Sequence, residues 1–98
     1  MARWKLAIEE RAEAEARSAF LWYLARNPRA AGRFQAAVEE CIDAIAEAPE
    51  RYPEIEPGIR RRLVLHRFPY AVLYRIVADE VQVVAVMHTR RRPGYWRR

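Results

Sequence analysis

The sequence predicts an α+β fold: an antiparallel sheet with an N-terminal helical hairpin packed on one face, in the order β-α-α-β-β-β. Three observations carry this. Two long segments of helical periodicity, at residues 9–48, are separated by only Asn27-Pro28. From Ile59 onward the apolar period switches from 3.6 residues to 2. The helices are grouped rather than interleaved with the strands, which suits a sheet covered on one side.

Arg3 to Ile8 reads as a first strand, with Trp4, Leu6 and Ile8 alternating against Arg3, Lys5 and Ala7. Glu9 to Arg26 reads as a helix whose stripe is Ala12, Ala16, Ala19 and Tyr23, flanked by Phe20 and Leu24. Early glutamates and a terminal Arg26 complement the helix dipole. Asn27 is a favourable N-cap and Pro28 a favourable first residue for a second helix, running to about Ala48 with a stripe of Phe34, Val38, Cys41, Ile42 and Ile45. Pro49 stops it, and Pro53 and Pro57 stiffen the connector over Glu50 to Gly58. Strands follow at Arg61–His66, Tyr70–Val77 and Val81–His88, with Ala78-Asp79-Glu80 as a hairpin loop.

Alternation assigns the faces. Val72, Tyr74 and Ile76 share one side of their strand; Ala71, Leu73, Arg75 and Val77 share the other. A charge buried without a partner is costly, so the Arg75 side is expected to be the open face. Leu73 and Val77 would then be exposed apolar residues awaiting a cover.

The 98 residues, 52% of them hydrophobic, suffice for one domain spanning 1–98. A single cysteine, Cys41, excludes an internal disulfide and suits a reducing, cytoplasmic setting. No apolar run is long enough for a membrane span and no leader is recognisable, so no membrane partner is expected. The net charge of +5 is unevenly spread: residues 1–56 sum to −3 and residues 57–98 to +8. A cationic second half attracts nucleic acid or an acidic partner.

Standard catalytic sets are missing. Ser18 is the only serine, Asp43 and Asp79 are the only aspartates, and His66, His88 and Cys41 lack metal-ligand spacing. Neither a metal nor a cofactor is expected. What remains is cationic and aromatic: Arg60–Arg62 at the start of a strand, and M-H-T-R-R-R-P-G-Y-W-R-R from Met87 to Arg98. Some guanidinium groups of both clusters are expected on the open face. Arg60–Arg62 read equally well as solvated charges that discourage edge pairing. Arg90, Arg91, Arg92, Tyr95 and Trp96 form a candidate target-binding tip, since arginine clamps anions and aromatics anchor or stack. His88, alone at a strand end, is read first as a structural residue ordering the arginine loop behind it.

The stretch Arg67 to Trp96 resembles the C-terminal half of RelE/ParE-type toxins. The likeness rests on F-P-Y (Phe68-Pro69-Tyr70), the aromatic–arginine pair Tyr74-Arg75, a hairpin, and H-x-x-R-x-P followed by tryptophan. The upstream strand, helical hairpin and proline connector also fit. The resemblance implies a cytoplasmic bacterial toxin of a type II toxin–antitoxin pair. It implies a ParD-like antitoxin, a ribbon-helix-helix protein with a flexible tail that folds over the toxin as it binds. Arg62, Leu73, Arg75 and Val77 are expected under that tail.

RelE-like members cut mRNA on the ribosome; ParE-like members act on DNA gyrase. Relative to the nuclease pattern, Val64 stands for a lysine, Ala71 for an arginine, and Trp96 for the C-terminal tyrosine. Arg90 keeps its place and Arg62 keeps a positive charge. Losing two charges removes much of the electrostatic stabilisation of phosphodiester cleavage. The expected function is therefore gyrase inhibition without catalysis, direct nucleic-acid binding being secondary. The alternative is a ribosome-dependent endoribonuclease using Arg62, His88, Arg90 and Tyr95.

Overall fold

In a computed structural model, residues 4–91 and 94 are described. The order is β1 (Lys5–Ile8), α1 (Glu10–Arg26), α2 (Pro28–Glu47), a 3-10 turn (Pro49–Arg51), β2 (Glu54–Glu56), β3 (Ile59–Leu63), β4 (Tyr70–Val77) and β5 (Glu80–His88). One sheet holds the five strands in the order β1-β5-β4-β3-β2. The α+β class and the helical hairpin on one face are as expected. The sheet is mostly antiparallel; β1 alone lies parallel to its neighbour β5, pairing Leu6 with Val81 and Ile8 with Val83. The proline connector also contributes a strand, β2, which pairs with β3.

The break between the helices is built as their residues dictate. The Asn27 side chain accepts from the N–H groups of Arg29 and Ala30 at 3.1 and 3.3 Å, while Pro28 occupies the first helical position. The alanines of α1 let α2 approach closely, and the stripe predicted for α2 enters the main core. There Ala12, Ala19, Phe34, Val38, Cys41 and Ile45 meet Val72, Tyr74, Val81, Val83 and Val86 of the sheet. The Tyr74 hydroxyl crosses the core to donate to the Pro49 carbonyl, tying the 3-10 turn to the central strand. Burial of this phenol pushes its pKa up to about 12.

The opposite face has its own small cluster: Ala71, Leu73, Val84 and Ala85, with Ile59 and Met87 packed against it. Leu73 faces this way as expected, yet it is 0% exposed. The cause is an irregularity in β5. Leu73 pairs with Ala85 and Tyr74 with Val83, so Val84 is an extra residue, and both Val84 and Ala85 crowd onto the face beside Leu73. Val77, at the strand end beyond the cluster, is 48% exposed. Strand β3 ends at Leu63 rather than His66, because His66 and Arg67 take left-handed φ values of 65° and 68° and turn the chain. Among the described residues, no helix is long and apolar enough to cross a membrane.

Candidate functional site

The F-P-Y motif fastens the cationic end of the sheet to the helices. Phe68 and Tyr70 both insert under the hairpin: Phe34 lies 5.4 Å from Phe68 and 5.0 Å from Tyr70, ring centre to ring centre. Tyr23 of α1 completes the group at 5.4 Å from Phe68. Pro69, between them, turns its carbonyl outward to accept from the Thr89 N–H at 2.8 Å. His88 packs edge-on against Tyr70 at 5.2 Å. The residues leading into the arginine run are thus held by the same aromatic cluster that anchors the helices.

His88 then holds the first two arginines by their backbones. Its Nδ1 accepts from the Arg90 N–H at 3.1 Å, and its carbonyl accepts from the Arg91 N–H at 2.9 Å. Arg90 and Arg91 are both exposed. Arg92, Tyr95 and Trp96, the rest of the predicted tip, lie outside the described residues.

The three arginines of β3 divide between the two faces, and Arg61 alone of them takes the open side expected for part of the cluster. Arg60 and Arg62 pair with Tyr74 and Val72, both in the helix-side core, whereas Arg61 pairs with Leu73 and faces the open side. Arg60 donates to the carbonyls of Tyr52 and Glu50 at 2.6 and 3.1 Å. Arg62 forms a 3.3 Å ion pair with Glu40 of α2, and its side chain is only 15% exposed. Its guanidinium lies 5.4 Å from the centre of the Tyr52 ring. Burial works against the Arg62 charge, but the Cys41 thiol, Tyr52 and the Glu40 carboxylate outweigh it and hold the pKa above the ordinary arginine value. Cys41 in turn is buried, its thiol pushed up by burial and directed at the Arg62 and Leu63 carbonyls. Arg62, expected under the antitoxin tail with Arg75, thus lies on the helix side of the sheet, the face opposite Arg75.

On the open face, Arg75 donates to Glu9 Oε2 at 2.8 Å and to Gln82 Oε1 at 2.7 Å. Gln82 donates onward to Glu80 at 2.7 Å. Arg75 is exposed but already paired, and Leu73 beside it is sealed, so Leu73 cannot meet a partner in this conformation. Of the expected antitoxin-binding residues, Val77 and Arg75 share an accessible surface.

Of the alternative nuclease set, His88 and Arg90 lie together at the end of β5, and Tyr95 lies outside the described residues. Arg62 is committed to Glu40 and Tyr52 on the α2 side, while His88 packs on Tyr70 beside α1. Val64 and Ala71, where the resemblance would place basic residues, are buried apolar residues. Among the described residues no group of three or more His, Cys, Asp or Glu is arranged to hold a metal ion.

One feature escaped the sequence reading. A cleft of about 540 Å3 runs between α1 and the outer edge of β5, bounded by Glu15, Trp22, Tyr70, His88 and Arg91 among others. Strand β1 pairs only as far as Val83, and beyond it Glu15 Oε1 accepts the Val86 N–H at 2.9 Å where a strand carbonyl would otherwise stand. Trp22 is 52% exposed, with Arg26 stacked 3.9 Å above its ring. The available signal was an aromatic residue one position off the apolar stripe of its helix.

Comparison with known proteins agrees with this architecture. The chain is 28% identical over 82 residues to Toxin RelE1 of Caulobacter vibrioides, covering 83% of this chain and 88% of that one. It is 39% identical over 62 residues to the putative toxin Y4kP of Sinorhizobium fredii, covering 63% of this chain and 64% of that one. A solved structure described as the chromosomal ParDE TA system from P. aeruginosa superposes with a TM-score of 0.76 at 20% identity, over 88% of this chain and 96% of that one, a likeness of fold. The family model described as ParE toxin of type II toxin-antitoxin system, parDE, matches residues 6–93. The chain belongs to the ParE toxin family.

Proposed function

We propose that this toxin inhibits DNA gyrase without catalysing a reaction and is silenced by a cognate antitoxin. The observation that carries the reading is the commitment of three of the sheet's arginines to other partners. Arg60 and Arg62 serve the helix layer, Arg75 is neutralised by Glu9, and Val64 and Ala71 are core residues. A phosphodiester transition state needs preorganised positive charge around it, and these residues do not supply it. Arg90 and Arg91 at the end of β5, continued by Arg92, Tyr95 and Trp96, are the target contact in this reading.

The antitoxin reading draws support from the ParDE system on the structural neighbour and from the open face itself. Val77 and Arg75 are proposed to lie under an acidic, amphipathic segment of the partner. Val77→Asp should weaken antitoxin affinity at least about tenfold, because it places a charge in the contact; undiminished affinity would remove this surface from the proposal.

The function is tested by assaying one preparation against purified gyrase and in a translation extract. Inhibited supercoiling or trapped DNA breaks with intact transcripts is the expected outcome. Codon-positioned mRNA cuts with gyrase unaffected would replace the proposal with the endoribonuclease reading.

A further inference from the structure

The three N–H groups that follow the end of β5 are all taken, and two of them by one residue. The Thr89 N–H goes to the Pro69 carbonyl, the Arg90 N–H to His88 Nδ1, and the Arg91 N–H to the His88 carbonyl. A side-chain acceptor bonded to the N–H two residues ahead closes the ring that Asn and Asp form in turns. An imidazole accepting at Nδ1 carries its proton on Nε2. The ring cannot swing freely, because it stands edge-on at 73° against Tyr70, which is packed against Phe34. The path from the aromatic cluster to the Arg90 backbone therefore runs through one imidazole nitrogen.

The two arginine side chains are exposed, and the turn fixes the direction in which their backbone presents them. A turn set in advance spares a partner part of the cost of ordering those side chains. We propose that His88 is the positioning residue for the target contact of Arg90 and Arg91, acting through the acceptor at Nδ1 rather than through the bulk of its ring. This rests on the proposed function in two respects, that gyrase is the target and that Arg90 and Arg91 meet it.

Two variants separate the acceptor from the ring. His88→Phe keeps the edge contact with Tyr70 and deletes the acceptor. His88→Asn deletes the ring and offers an amide oxygen that closes the same turn. Acting through Nδ1, His88→Phe raises the concentration needed for half-inhibition of gyrase about five- to twentyfold, while His88→Asn rescues it to within about threefold. Slow hydrogen exchange of the Arg90 amide is lost in the first variant and kept in the second. The reverse order, equal loss in both, or no loss in either overturns the proposal. Exchange of the Arg90 amide at the rate of an unprotected amide in the unmodified chain also overturns it, whatever the variants do. The double variant Arg90→Ala/Arg91→Ala tests the underlying reading separately. Full gyrase inhibition by that variant refutes the target contact, and the Arg90 exchange measurement still judges the turn on its own.

Discussion

Replacing Tyr74 by Phe tests how the sheet is joined to the segment after α2. Tyr74 is 0% exposed, and its hydroxyl donates to the carbonyl of Pro49, itself buried. The variant keeps the ring and its packing but leaves that carbonyl without its donor. An unsatisfied buried polar group costs about 1–3 kcal/mol, and in a domain of this size a loss of about 2 kcal/mol lowers Tm by about 8–16 °C. The pH dependence gives the effect a signature. Burial raises the phenol from its ordinary value of 10.0 to about 12. A tyrosine whose folded pKa exceeds its unfolded one stabilises the fold in full below the unfolded pKa. That contribution disappears as pH rises through the folded pKa, so the window is about pH 10 to 12. A displacement of this size corresponds to about 3 kcal/mol. Tyr74→Phe should therefore be less stable than the unmodified chain at pH 7, and the difference should shrink or reverse toward pH 12. Urea unfolding at pH 7, 9 and 11 measures it. A stability gap that is absent at pH 7, or constant across the series, would refute the reasoning.

Other consequences follow from single contacts. Asn27→Ala removes the acceptor for two N–H groups at the start of α2 and should cost about 1 kcal/mol in urea unfolding. His66 and Arg67 are consecutive left-handed residues at the β3–β4 turn, so His66→Asn/Arg67→Gly should stabilise the fold by about 1 kcal/mol, read as a rise in the urea midpoint. Phe34→Ala empties the centre of the aromatic cluster and should cost about 3–5 kcal/mol, enough to unfold much of the chain at 37 °C by circular dichroism. Arg62→Ala should lower thermal stability by removing a largely buried arginine side chain and its ion pair with the half-exposed Glu40, while gyrase inhibition measured at a temperature where the variant stays folded is preserved.

The amino acids in their order determined everything that depends on near neighbours. The alanine stripe of α1 and the Phe34-to-Ile45 stripe of α2 follow from a 3.6-residue period. Asn27-Pro28 specifies the break between them through one side-chain acceptor and one missing N–H. Alternation in β4 was enough to send Val72 and Tyr74 to the helices and Arg75 away from them, because charge and apolar burial compete at each position separately. The resemblance carried by F-P-Y and H-x-x-R-x-P was also legible, since those residues are close in the chain. Only the tertiary structure decided which strands meet and in what register. It placed β1 parallel to β5, a pairing across some 75 residues that no local signal encodes. It turned Arg60 and Arg62 toward the helices and left Arg61 outside, since a strand's partner fixes its register and one step of register exchanges its faces. It sealed Leu73 through an extra residue at Val84, a bulge indistinguishable from ordinary valine alternation until both strands are laid side by side. Periodicity is a property of one segment, whereas facing, sealing and aiming a side chain are properties of two segments in contact.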